Sequence, residues 1–284
     1  MRIETVVKLD PTLGRLLDVD VLPSGKWAGV FGSPESLSVR FGDYVRLFPH
    51  LVRYPIVRCI DKTRLILADS NCADKNHSAW IIDACSGEIR NFFAGDAIED
   101  ILVRNDRIVV TYFDEGIFSN VYPSYEGIAF FDAEGELLTG YQSRLGEEAV
   151  PIWDCYAACW DENGRLVFCP YGATLVVEES RYVGGGFPIV CLDLNTFQQQ
   201  VCQTPERVHG ASAISPRGNT VVFFNPYNEK TALLLWEPEA ERDEEVTLLG
   251  HHPGPLSGIG KGRFLTVGCH EFSIIDALAE PGET

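Results

Sequence analysis

The 284 residues predict an all-β chain, built from six repeats of a four-stranded antiparallel sheet, and three observations carry that expectation. A strand that runs into an acidic turn recurs as WIIDACSGEI at Asp83, AFFDAEGELL at Asp132, VCLDLNTFQQ at Asp193, LLWEPEAERD at Glu237 and SIIDALAE at Asp276, with a weaker instance at Asp43. Successive acids lie 40, 49, 61, 44 and 39 residues apart, close to the length of one four-stranded unit. No segment shows a sustained 3.6-residue apolar period with caps, so helices should be few and short.

The elements follow in order. The first repeat places Ser38 to Asp43 before Tyr44 to Phe48, with Lys26 to Phe31 as the inner partner of that beat. In each later repeat two apolar strands precede the acidic one: Val57 to Ile60 with Arg64 to Ala68, Ile101 to Val103 with Arg107 to Tyr112, and Tyr156 to Trp160 with Arg165 to Cys169. Ala211 to Ile214 with Thr220 to Phe224, and Ser257 to Ile259 with Arg263 to Val267, complete the set. Their connections, such as Asp61-Lys62-Thr63, Arg104-Asn105-Asp106 and Gly260-Lys261-Gly262, hold the residues that tight turns require. The terminal acid of each beat can accept from the turn amides after it, while Gly87 and Gly135 supply the permissive backbone of a hairpin.

The stretch Trp153 to Val177, WDCYAACWDENGRLVFCPYGATLVV, reads as three successive strands and displays this plan most clearly. The longest interval holds an insertion, Glu178 to Phe187, in which Gly184-Gly185-Gly186 reads as a hinge. After Asp276 only ALAEPGET remains, too short and polar for a good fourth strand, whereas Ile3 to Leu9 is extended and alternates apolar with polar residues. The amino-terminal strand should therefore complete the last sheet and remove an unpaired edge.

This pattern resembles six-bladed β-propellers of four-stranded blades, loosely like WD-repeat proteins, over nearly the whole chain as a single domain, 1–284. The paired GH and WD dipeptides of true WD repeats are absent, so WD-repeat partners are not carried over. Phe113-Asp-Glu-Gly-Ile-Phe118 and Asp154-Cys-Tyr-Ala157 resemble phrases of uncharacterised bacterial propeller proteins, which implies no activity.

Composition narrows the function classes. Apolar residues make up 45% and charged residues 23%, as in soluble globular proteins. The excess of 41 acids over 23 bases, a formal charge of −18, repels phosphate backbones and anionic lipid, so neither nucleic acid nor membrane is an expected partner. The amino terminus lacks the apolar core of a secretory signal and no apolar run reaches membrane-span length, so a cytoplasmic monomer is expected. Nine cysteines, an odd number in strand contexts, suit reduced and buried thiols, and the Asn76-His77-Ser78 sequon is then without consequence.

In a propeller, the loops entering first strands and those following second strands share one face. That face should collect Glu99, Asp100, Asp154 and His209 from the first group, and Asp69, Asp114, Glu115, Tyr171, Asn225, Tyr227, His270 and Glu271 from the second. Asp154 stands out, because an acid at the start of the most apolar inner strand needs a partner. In FDEGIF, Phe113 and Phe118 can pin Gly116 while Asp114 and Glu115 face the channel mouth, or the segment is a bulge at a blade edge. Cys155 and Cys159, four apart on a strand, should share a face as core thiols. His251-His252 reads as a solvated loop pair, and no G-x-S-x-G elbow or phosphate-cradling loop is present.

Two functions follow from different classes. A non-enzymatic protein-interaction scaffold would use the loops Asp114 to Glu126 and Glu178 to Phe187, exposed aromatics Tyr122, Tyr125, Tyr171 and Tyr182, and Asp114, Glu115 and Tyr227 to hold a protein or peptide; it needs no cofactor. The alternative resembles six-bladed metallolactonases: a hydrolase with one divalent cation (Ca, Mn or Zn) held by Glu99, Asp100 and Asp154, and His209 or His270 as proton carrier.

Overall fold

The computed structural model describes residues 1–33, 36–49, 52–72, 77–172, 174–176, 181–183, 187–238 and 246–279. Strand β1 (Arg2–Lys8) opens the chain, and six four-stranded antiparallel sheets form the blades of a β-propeller. Blade one is β2 (Leu16–Val21), β3 (Trp27–Ser33), β4 (Ser36–Phe41) and β5 (Tyr44–Phe48). Blade two is β6 (Pro55–Cys59), β7 (Arg64–Asp69), β8 (Ala79–Asp83) and β9 (Ile89–Phe92). Blade three is β10 (Ile98–Arg104), β11 (Arg107–Tyr112), β12 (Ile128–Asp132) and β13 (Leu137–Gly140), with the short helices α1 (Asp114–Ile117) and α2 (Tyr141–Leu145) beside it in sequence.

Blade four is β14 (Asp154–Trp160), β15 (Leu166–Tyr171), β18 (Pro188–Leu192) and β19 (Gln199–Gln203). Between its second and third strands, β16 (Thr174–Val176) and β17 (Arg181–Val183) form a separate two-stranded sheet. The third strand of the Trp153 to Val177 stretch thus belongs to this side hairpin and not to the blade. Of the rest of the expected insertion, residues 178–180 and the three glycines lie outside the described residues, and Phe187 is described. Blade five is β20 (Ala213–Arg217), β21 (Thr220–Phe224), β22 (Ala232–Trp236) and β23 (Thr247–His251). Blade six is β24 (Ser257–Gly260), β25 (Arg263–Val267) and β26 (Glu271–Asp276), completed on its outer side by β1 as the sequence predicts.

The acidic beat falls at the end of each third strand or just after it, and at four of the six acids the turn chemistry is as expected. Asp83 accepts from the amides of Cys85 and Ser86, Asp132 from Glu134 and Glu136, Asp193 from Asn195 and Thr196, and Asp276 from Leu278. Each carboxylate replaces the backbone partners that a sharp reversal strips from its amides. The bend between β6 and β7 works the same way, with Asp61 accepting from the Thr63 and Arg64 amides.

The chain gathers into two compact units: Lys8–Arg144 with Val267–Phe272, and Met1–Val7 with Leu145–Thr266 and Ser273–Thr284. Within the first, apolar faces of successive blades bury Val30, Phe41, Leu67 and Trp80 in one core, and Ile66, Ile101, Val110 and Phe131 in the next. Within the second, Cys159, Phe223 and Trp236 belong to one core and Phe224, Phe264 and Ile275 to another. Two-residue alternation makes this possible, since each middle strand feeds the cores on both of its faces.

Three expectations are corrected. Leu16–Val21, to which the sequence assigned no strand, is the inner strand of blade one. FDEGIF is neither open loop nor bulge: Asp114–Ile117 is a single helical turn, and Gly116 is held against the Asp96 carbonyl, where an added Cβ would approach to 2.7 Å. Among the nine cysteines, none in a disulfide, Cys85, Cys202 and Cys269 are exposed and only Cys59, Cys155, Cys159 and Cys169 are buried. Among the described residues no helix is long and apolar enough to cross a membrane.

Candidate binding face

The inner strand of blade four is not regular. Cys155 pairs with Pro170 but Ala157 pairs with Cys169, so Tyr156 is an extra residue, a β-bulge. One added residue inverts the alternation of side chains beyond it. Ala157 and Cys159 consequently share the core face with Val167 and Cys169, while Cys155 lies on the opposite face, contrary to the simple four-residue spacing. The bulge also re-aims Tyr156, which becomes the centre of an aromatic cluster instead of a core residue.

The cluster is assembled from loops that enter inner strands and loops that leave second strands. The Trp153 amide donates to the Tyr171 carbonyl (3.0 Å) in blade four, and the Tyr227 amide donates to the His209 carbonyl (2.9 Å) in blade five. Around Tyr156 stand Tyr171 at 5.9 Å between ring centroids, Tyr227 at 5.8 Å and Phe187 at 6.1 Å. Phe187 in turn meets Tyr171 at 5.1 Å and stacks on His209 at 4.6 Å, and Trp153 meets Tyr171 edge-on at 5.9 Å. These separations are those of favourable offset and edge-to-face pairs, worth about 0.5–1.5 kcal/mol each beyond burial.

Two glycines let the outermost rings lie down on the backbone. Gly172 (φ +96°) sits so close under Trp153 that a Cβ would come within 2.3 Å of the indole, and a Cβ at Gly210 (φ +68°) would come within 2.6 Å of the Tyr227 ring. Trp153 stays 38% exposed and Tyr227 46% exposed, whereas the rings between them are partly buried.

The polar atoms of the cluster are arranged by hydrogen bonds. The Tyr227 hydroxyl donates to the Tyr156 hydroxyl. Burial, then this bond, then the nearby Asp154 carboxylate push the Tyr156 pKa well up, so its phenol remains a neutral donor. His209 places Nε2 3.1 Å from the Thr204 carbonyl oxygen; a carbonyl only accepts, so that nitrogen carries the proton. The Lys230 ammonium stands 5.4 Å from the centroid of Tyr227. Such a surface presents ring faces and phenol hydroxyls.

A second polar assembly lies in the other unit, on the inner strands of blades one to three. Arg58 donates through Nη1 to Asp18 (2.8 Å), through Nη2 to Asp100, and through Nε to the Ile101 carbonyl (2.8 Å). Asp18 and Asp20 also accept from the Val57 and Cys59 amides at 2.7 Å, serving as partners for the inner edge of β6. Burial works against the Arg58 charge, but Asp100, Asp18 and Asp20 outweigh it and drive the guanidinium pKa up; burial raises the Asp18 pKa against the pull of Arg58. Asp100, expected near a cation, is thus committed to Arg58, beside the bulged residue Glu99.

The remaining predicted residues fall elsewhere. Asp69 is buried and accepts from the Arg53 and Tyr54 amides, a structural role. Asn225 accepts from the Thr231 amide. Asp114 and Glu115 are exposed on α1, and His270 is exposed in the turn before β26. The structure therefore brings Asp154, Tyr171, His209 and Tyr227 to one region, while the adjacent Asp114 and Glu115 stand on α1 and His270 in the turn before β26. Among the described residues no group of three or more His, Cys, Asp and Glu is placed to hold a metal ion. Of the other rings in the cluster, Trp153 and Tyr156 were not among the expected residues, and Phe187 ends the insertion expected to form part of a contact; the glycine after Tyr171 and the glycine after His209 were the available signals.

No family model matches the chain, and no curated protein matches it. Solved structures do. A hydrazine synthase from Kuenenia stuttgartiensis superposes with a TM-score of 0.58 at 10% identity, covering 93% of this chain and 84% of the other. The selenomethionine-substituted virginiamycin B lyase from Staphylococcus aureus gives 0.50 at 10% identity, over 95% and 97%. At such identities the likeness is one of fold alone, and the fold hosts unrelated activities.

Proposed function

We propose that the protein is an interaction scaffold and that the aromatic face of blades four and five is where it holds a protein or peptide. The observation that carries this is the packing of Trp153, Tyr156, Tyr171, Phe187, His209 and Tyr227 into one ring cluster whose two outermost members stay open to solvent. Tyrosine and tryptophan on a rigid support make the anchors that dominate binding energy, because they bring large area at small entropic cost. Blade strands and glycine contacts supply the rigidity here. A metal-dependent hydrolase would instead require Asp100 to leave Arg58, and the scaffold requires no such rearrangement.

The test compares immobilised wild-type protein with the Trp153→Ala/Tyr227→Ala double variant for proteins retained from the native host. The expected result is a partner retained by the wild type and lost, by about tenfold or more, from a variant whose melting temperature is nearly unchanged. Equal retention by both proteins overturns the assignment.

A further inference from the structure

If the aromatic face is a docking surface, a premise taken from the scaffold reading, its chemistry also limits what can dock there. Aromatic ring faces are electron-rich, and a cation over them is held by about 0.5–2 kcal/mol. Tyr227 already shows this preference, since the Lys230 ammonium of the same chain stands over its ring at 5.4 Å. The Asp154 carboxylate acts electrostatically on Tyr156, so negative potential reaches into the cluster. Arg207, the cation that precedes His209 in the same connection, is tied to Glu229 through both Nε and Nη2 and does not offset that potential. A formal charge of −18 draws basic partners toward the whole protein.

The shape of the cluster selects among cations. Neighbouring centroids lie between 4.6 and 6.1 Å apart, so the rings fill one another's space and, among the described residues, leave no cup that could surround a compact quaternary ammonium. They offer instead an open row of faces and edges. A planar guanidinium stacks flat on such a row while its edge stays free for hydrogen bonding, which an ammonium cannot do.

We infer that the aromatic face binds arginine side chains presented on an extended basic segment of a partner protein, with Lys230 occupying the place on Tyr227 that a ligand guanidinium takes.

The experiment uses the full chain and two fluorescein-labelled peptides, Gly-Ser-Gly-Arg-Gly-Arg-Gly-Ser-Gly and its counterpart with citrulline for arginine, followed by fluorescence anisotropy. Citrulline keeps the planar group and removes the charge. The arginine peptide should bind about tenfold more tightly or better. Trp153→Ala and Tyr227→Ala should abolish that preference, and Lys230→Ala should tighten arginine-peptide binding about two- to threefold by vacating the ring. Equal binding of the two peptides, lost in both ring variants, overturns the arginine inference and leaves the scaffold standing. An arginine preference that survives both ring variants overturns it too, as general attraction to an acidic protein. Binding of neither peptide also overturns it, while the retention experiment decides the scaffold separately.

Discussion

Blades three and four begin alike and end in opposite chemistry. Each inner strand carries one extra residue near its start, Glu99 in β10 and Tyr156 in β14. In blade three the adjoining Asp100 is consumed by Arg58, which also binds Asp18 of blade one, and the charges are used up inside the molecule. In blade four the extra residue is a ring that gathers other rings, two of them open to solvent. The same backbone device thus builds an internal lock in one unit and an exposed face in the other. A polar group turned inward must find a partner within the fold, whereas an aromatic ring tolerates a half-wet position.

The largest effect should come from breaking the lock. Arg58→Met leaves Asp18 and Asp100 without their counter-charge, and because these groups are mostly buried the loss should be about 3 kcal/mol, read as a melting temperature lower by about 6–12 °C. Adding Asp18→Asn and Asp100→Asn to that variant should restore at least half of the loss. If the triple variant is no better than the single one, the lock works by shape and not by charge.

A somewhat smaller effect tests the unit that carries the face. Gly258 in β24 lies against β20 so closely that a Cβ would come within 1.7 Å of the Ile214 carbonyl oxygen. Gly258→Ala should cost about 2–3 kcal/mol in denaturant unfolding, through displaced backbone. Tyr227→Ala, by contrast, removes a half-exposed ring and should lower stability by no more than about 1 kcal/mol while reducing partner retention about tenfold. A stability loss as large as that of Gly258→Ala would show the ring to be core rather than face.

The smallest effect concerns a turn. Burial is the largest single influence on Asp61 and raises its pKa, but the hydrogen bonds from the Thr63 amide and from Arg64 together outweigh it and hold the carboxyl down at about 2. A folded pKa below the unfolded value means that this stabilisation is complete above about pH 4 and is lost as the pH falls toward 2. The side chain is more than a third exposed, so solvent screens the contribution to under about 1 kcal/mol. Asp61→Asn should flatten that part of the acid-unfolding curve and leave the neutral melting temperature within a few degrees. An unchanged acid limb would remove Asp61 from the account.

What the sequence discloses divides along the same line. The blades were legible because their punctuation is local: Asp83, Asp132, Asp193 and Asp276 act on amides two to four residues away. Leu16–Val21 was hidden because its acids act at long range. Asp18 and Asp20 bond the amides of Val57 and Cys59, and in isolation LLDVDV looks too acidic for an inner strand. The face was half legible. Tyr171, His209 and Tyr227 follow from loop position, but Tyr156 reads as a core residue until a bulge is known, and a bulge is a property of the paired strand as much as of its own sequence. Phe187 ends an insertion whose path composition does not reveal.

Strand β1 pairs with β26, far away along the polypeptide. On the ribosome it emerges long before that neighbour, with a delay on the order of tens of seconds at ordinary elongation rates. Through that interval Ile3 and Val6, still 60% and 49% exposed in the finished molecule, are carried on a strand with no sheet to join. Arg2, Glu4 and Lys8 are set among them, and charges so placed are the feature that disfavours edge-to-edge pairing of an unpartnered strand.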